Sequence, residues 1–186
     1  MYDSGAHLLA IINDILDLSK VEVGKFDLNE TEIKVPEVCR SVLHIVKGRA
    51  DEAGITLIKG LPEELPYLLA DPCSLKQMLL NLVSNAIKFT DPGGTVDLVV
   101  DVEPDGGFRF DVRDTGVGIA PENVEVVLSP FGQIDSAHAP DHQGTGLGLP
   151  LVHAFIEMHD GRLAIQIELG EGTTVSLYFP PERTRK

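Results

Sequence analysis

The sequence predicts an α+β fold, one compact domain with helices covering one face of its sheet, preceded by an amphipathic helix. Three observations predict it. A chain of 186 residues, 43% of them hydrophobic, can bury a sizeable core. Apolar residues repeat alternately with helical and with strand periods. Two pairs of strand-like segments read as hairpins, and in the first of these the apolar residues share one face, so the other can be solvated.

The elements follow in order. "SGAHLLAIINDILDLSKVEVGK" carries Leu8, Ile12, Ile15 and Leu18 as a helical stripe, widened by Leu9, Ile11 and Leu16. Ser4 can cap its start and Gly24 can end it, giving about five turns. Alone it cannot bury that stripe, so it wants a partner on another chain or in a part of the protein outside this sequence. "FDLNETEI" reads as a strand, Pro36 to Ala53 as a helix, and "ITLIKG" and "YLLAD" as short strands around the breaker-rich "LPEELP". A helix follows from Pro72 to Phe89, with proline in its first turn. "TVDLVVDVEPDGGFRFDVRD" is a hairpin turning at Asp105, Gly106 and Gly107, with Val96, Leu98, Val100 and Val102 facing the same way as Phe108, Phe110 and Val112. A short helix near Pro121 to Leu128, an aperiodic loop "SPFGQIDSAHAPDHQGTG", and a helix from Leu147 to His159 lead into a second hairpin, "GRLAIQIE" and "GTTVSLYF". The one evident boundary lies near Gly24 to Asn29.

Composition excludes several classes. A net charge of -14 repels a nucleic-acid backbone over most of the surface, so a phosphate-bearing ligand must be held by a local set of donors. No apolar run reaches membrane-spanning length, and no signal peptide opens the chain, which reads as soluble and cytoplasmic. Cys39 and Cys73 lie far apart without metal-ligand or redox spacing, as expected of buried thiols in a reducing compartment.

Three polar clusters stand out. In "NLVSNAIKFTDPGG", Asn81, Asn85 and Lys88 lie at i, i+4 and i+7, one stripe of a helix whose other faces are apolar. A solvated stripe would look the same. Yet a neutral oxygen ligand and an ammonium on one line also suit a Mg²⁺-polyphosphate. "DVRDTGVGIAP" ends a strand at Asp114 and turns through Gly116 and Gly118, where a flat ligand can approach the backbone and the carboxylate can accept from an exocyclic amine. "GTGLGLP" sets Gly144, Gly146 and Gly148 at a helix start, where backbone N–H groups can face phosphate. It lacks both dinucleotide-fold and Walker spacing.

Taken in order, "NLVSNAIKFT", "DTGVGIA", "PFGQID", "GTGLGLPLV" and "GEGTTVSLYF" resemble the ATP-binding catalytic domain of bacterial sensor histidine kinases, within the superfamily of gyrase, a heat-shock chaperone and mismatch-repair ATPases. The resemblance spans about Phe26 to Pro180. It implies a two-layer α/β sandwich, a mixed and mostly antiparallel sheet under three main helices, with ATP and Mg²⁺ held beneath a lid at about Pro130 to Gly144. Carried over, Asn85 would bind Mg²⁺, Asn81 would lie beside the phosphates and Lys88 would answer their charge. Asp114 would accept from the adenine amine, with Gly116 and Gly118 letting the base lie close. Gly144, Thr145, Gly146, Leu147 and Gly148 would wrap the phosphates, Thr173 would sit near the base, and Phe131 would belong to the lid.

The first segment resembles the second helix of the kinase's dimerisation and phosphoacceptor domain. The resemblance therefore divides the chain into residues 1–25 from that domain, 26–182 as the catalytic domain and 183–186 as a tail. It implies transfer of the γ-phosphoryl group to a histidine on a partner helix, relay to an aspartate of a response regulator, and a homodimeric full-length protein that could be membrane-anchored. None of His7, His44, His138, His142, His153 and His159 has the acceptor's flanking residues, so this chain is expected to be a fragment that binds ATP without phosphorylating itself. Ser74, Asp160, Leu128 and Ser129 depart from the family's usual residues. Two other readings are a nucleotide-binding regulatory module of a degenerate kinase and a conformational ATPase of the same superfamily.

Overall fold

The computed structural model describes residues 2–62, 64–133, 145–168 and 172–185. The elements are α1 (Tyr2–Glu22), β1 (Thr31–Ile33), α2 (Val35–Ala53), β2 (Thr56–Gly60), β3 (Tyr67–Ala70), α3 (Pro72–Lys88), β4 (Thr95–Val102), β5 (Phe108–Asp114), α4 (Val124–Leu128), α5 (Gly148–Met158), β6 (Arg162–Glu168), β7 (Gly172–Phe179) and β8 (Thr184–Arg185). Five strands form the main sheet in the order β2-β4-β5-β7-β6, parallel only between β2 and β4. The α+β sandwich is thus as expected: a mixed, mostly antiparallel sheet under helices.

Local chemistry explains the central helix. Asp71 has extended backbone angles, and its Oδ1 accepts from Cys73 N at 2.8 Å and Ser74 N at 2.9 Å, while Pro72 fills a position whose N–H would be unpaired. Leu75, Met78, Leu79, Leu82, Val83, Ala86 and Ile87 then follow at three- and four-residue steps and are all buried. α3 packs between α2 and α5 and lies on β4 and β5. Beneath it, Leu98 faces Val112 and Val100 faces Phe110 across one strand pair, and Val112 and Phe110 face Val175 and Leu177 across the next. All six are buried. Large-to-small changes in such a core cost about 2–5 kcal/mol each. The exposed helix-surface ion pairs, such as Lys47 with Asp51, contribute only about 0.3–0.5 kcal/mol and do not hold the fold.

The uncovered sheet face is closed by its own charges. Arg109 lies 2.7 Å from both Asp101 and Glu103, Arg113 lies 2.7 Å from Asp111, and Ser176 donates to Asp111. Asp111 is buried there by its neighbours. Arg162 stacks on Tyr178.

Five local expectations differ from the structure. Cys39 is buried as expected, but Cys73, in the first turn of α3, is exposed. Only Thr31–Ile33 of "FDLNETEI" is strand, because Phe26 packs on Phe155 and Asn29 N bonds Asp71 Oδ2. α1 begins at Tyr2, so Ser4 lies inside it. Gly24 does end it, with φ +64. The C-terminal residues expected as a tail carry structure: Thr184–Arg185 pairs with β3, and Arg183 is buried with hydrogen bonds to Glu30, Leu69 O and Asp160. The α1 stripe also divides, since Leu8, Ile12 and Ile15 are exposed while Leu18 packs against the core.

A buried histidine joins these ends. His159 has no exposed surface, accepts from Asp71 N through Nε2 at 3.1 Å, and places Nδ1 2.7 Å from Phe155 O, which sets the Nδ1–H tautomer. Burial, with nearby Arg183 adding to it, holds its pKa below the ordinary 6.5, against the opposing effect of the Phe155 carbonyl. Folded His159 therefore resists a proton that the unfolded chain accepts. Stability is complete above about pH 6.5 and falls as the pH drops below it, by up to about 1.4 kcal/mol per pH unit until the folded group titrates. Urea denaturation at pH 7.0 and 5.5 should show this slope in the parent and a shallower one in His159→Gln; equal slopes would refute it.

Candidate nucleotide site

Helix α3 and the strand ends beside it bring the singled-out residues together. Asn81, Asn85 and Lys88 are half-buried along one side of α3. Asn81 Nδ2 reaches Gly148 O, at the start of α5, at 3.4 Å. The Asn85 amide has no side-chain partner among the described residues. Lys88 Nζ lies 4.8 Å from the centre of the Phe89 ring, and burial lowers its pKa.

Asp114 closes the other side. It ends β5, and its side chain shares the helix-covered face with Phe110 and Val112 by strand alternation. Oδ1 accepts from Gly116 N at 2.9 Å and Thr173 N at 3.2 Å, and Oδ2 meets no donor among the described residues. Burial raises its pKa, and the two backbone donors pull the other way. One oxygen is thus spent on holding the carboxylate still, and the other is free to accept.

The turn after Asp114 is pressed against the end of α3. A Cβ on Gly116 would stand 2.2 Å from Phe89 O, and Val117 N donates to that same carbonyl. Only glycine fits. Gly118 follows at φ +73. Thr173 is the register partner of Asp114, and its buried side chain lies on the same side of the sheet.

The third side is the approach to α5. Phe131 N donates to Gly146 O at 3.0 Å, so the start of the lid segment is tied to the second glycine cluster. Phe131 holds φ +63 with its ring exposed, and Gly146 holds φ +68. Thr145 Oγ1 accepts from Leu147 N at 3.2 Å. Leu147 is fully buried and its own N–H and C=O are already paired with Thr145 Oγ1 and Leu151 N, and no side chain caps the start of α5. Gly144, His138 and His142 lie outside the described residues, as does the lid from residue 134 to 144.

Two contributors escaped the sequence reading. The Phe89 carbonyl positions the Gly116 turn, and Gly172, at φ +123, lets β7 close on Asp114 O. The quoted stretch "GEGTT" contained Gly172, but nothing local marked its role. Among the described residues no group of three or more His, Cys, Asp or Glu could cage a metal. A cation here would need oxygens from a ligand.

An open helix start, a fixed carboxylate with one free oxygen, and an asparagine-lysine stripe all border α3, within the residues 70–183 matched by a family model described as "Histidine kinase-, DNA gyrase B-, and HSP90-like ATPase". The chain belongs to this ATPase family. It is 45% identical over 183 residues to the "Non-motile and phage-resistance protein" of Caulobacter vibrioides, covering 97% of this chain and 22% of that one. It is 42% identical over 180 residues to the "Histidine protein kinase DivJ" of the same organism, covering 97% of this chain and 30% of that one. The chain thus spans less than a third of either curated relative. Among solved structures, full-length ShkA in complex with AMPPNP superposes with a TM-score of 0.85 at 33% identity, over 96% of this chain and 36% of that one. At the level of the family, the chain is a histidine-kinase-type ATPase domain.

Proposed function

We propose that this domain binds ATP·Mg²⁺ and presents the γ-phosphoryl group to a histidine carried by another segment of the full-length protein, from which it passes to a response-regulator aspartate. The observation that carries the reading is Asp114, with one carboxylate oxygen held by two backbone donors and the other left as an acceptor at the mouth of a glycine turn. In this reading Asp114 accepts the adenine amine, with Thr173 and the Gly116–Gly118 turn beside the base. Asn85 supplies a neutral oxygen to Mg²⁺, Lys88 balances phosphate charge, and Asn81 lies beside the phosphates while its amide reaches Gly148 O at the start of α5. The backbone of 145–148 and the uncapped start of α5 face the phosphates, Gly144 is assigned to the same phosphate loop by its sequence alone, and Phe131 belongs to the lid. Bound Mg²⁺ supplies charge neutralisation on the phosphates. The protein contributes positioning, since phosphoryl transfer depends mainly on placement and electrostatics.

In this proposal residues 1–25 are the second helix of a dimerisation domain, and 26–182 are the catalytic domain of a homodimeric, cytoplasmic kinase. The exposed Leu8, Leu9, Ile12, Ile15 and Leu16 support it, since five large apolar side chains on one helix want a partner. Among the described residues no helix is long and apolar enough to cross a membrane.

Calorimetric titration with ATP, with and without Mg²⁺, tests the reading. The parent should bind, and Asn85→Ala should lose affinity in Mg²⁺ by roughly tenfold while metal-free binding changes little, because alanine preserves the helix and removes only the oxygen ligand. Equal Mg²⁺ dependence in the two proteins would place Asn85 on a merely solvated face. With γ-labelled ATP, this chain alone should take up no acid-labile, alkali-stable label; such label would make one of its own histidines the acceptor.

A further inference from the structure

α1 meets the catalytic domain along one side. Its half-buried residues Ile11, Asp14, Asp17, Leu18 and Val21 recur at three- and four-residue steps and share a face. Leu18, Val21 and Phe26 pack against the core, and the Phe26 ring lies 5.2 Å from that of Phe155 in α5. The polar contact goes instead to α3, where Gln77 Nε2 donates to Asp14 Oδ1 at 3.2 Å. α1 therefore touches both helices that frame the nucleotide site.

The place of Gln77 gives that contact its meaning. It stands four residues before Asn81, on the stripe that continues through Asn85 and Lys88. Asn81 in turn bonds Gly148 O at the start of α5. Two hydrogen bonds, Gln77 to Asp14 and Asn81 to Gly148 O, thus start one helical turn apart on the same stripe of α3 and reach α1 and the first turn of α5. Burial raises the Asp14 pKa and Asp17 adds to this, while the Gln77 hydrogen bond opposes it. The amide thus answers a desolvated carboxylate rather than filling space.

Resting on the nucleotide reading, we propose that Gln77 is a positioning residue that couples the seating of α1 to the nucleotide site, through Asp14 on one side and Asn81 on the other. Coupling of this kind is reciprocal. If docking of α1 changes nucleotide affinity, bound nucleotide changes the docking of α1 by the same factor. The signal this domain would return to its own dimerisation helix is then whether nucleotide is present.

The test uses the whole 186-residue chain as parent, Asp14→Ala, Gln77→Ala, the double variant and Asp14→Asn. AMPPNP with Mg²⁺ is titrated by calorimetry, and backbone hydrogen exchange of residues 11–22 is measured with and without it. Each single alanine variant should shift Kd by about fivefold or more, the double variant by no more than the larger single, and Asp14→Asn, which keeps an acceptor oxygen, should stay near the parent. AMPPNP should change exchange in α1 of the parent and not in the alanine variants. Binding by the parent with equal Kd in all variants and unchanged α1 exchange would overturn the coupling while leaving the nucleotide reading intact. Additive effects without an exchange response would reduce the pair to a local structural contact and overturn it too. No binding by the parent would overturn the nucleotide reading and this inference with it.

Discussion

Asp114→Asn is expected to weaken ATP binding by roughly 10- to 100-fold while leaving the fold intact. The substitution is nearly isosteric, and the amide oxygen can still accept from Gly116 N and Thr173 N as Oδ1 does now. The NH₂ group then occupies the place of Oδ2, where a donor would meet the exocyclic amine of adenine. Losing a hydrogen bond to a charged group costs about 1.5–3 kcal/mol, which is the source of the range. Calorimetry gives the affinity, and thermal unfolding gives the control. A folded variant that binds ATP as the parent does would remove Asp114 from the site.

Gly172→Val should destabilise the protein by roughly 3–5 kcal/mol. The residue holds φ +123, and a Cβ there would lie 1.8 Å from Asp114 O. Nothing in that contact is a flexible side chain, so β7 must move away from β5. The shift would break the Thr173 N to Asp114 Oδ1 bond and release the carboxylate. Stability and nucleotide affinity are thus expected to fall together. Urea denaturation with a parental midpoint would sink this prediction.

Most of the fold was legible in the sequence because its signals are local. The helical period of Leu75, Met78, Leu79 and Leu82 and the proline in the first turn mark α3, whose start Asp71 caps, and the alternation in β4 and β5 marks one covered face. The asparagine-lysine stripe follows from the same 3.6-residue period, so its residues could be placed on one line before any contact was known. The glycines after Asp114 were readable as a turn.

The sequence by itself therefore determined most of the elements, the covered faces of α3, β4 and β5, and the family, and it singled out the candidate site residues. Tertiary structure alone decided which oxygen of Asp114 is free, since its partner Thr173 lies 59 residues away and no periodicity spans that distance. Only tertiary structure split the apolar surface of α1, sending Leu18 inward and leaving Leu8, Ile12 and Ile15 outward. It alone also drew Asp71, His159 and Arg183 to the junction of the linker with the chain's end. The physical reason is common to all three. Periodicity reports which way a side chain points from its own backbone, whereas hydrogen-bond pairing and burial depend on which distant segment arrives opposite it, and that is settled by packing the whole chain.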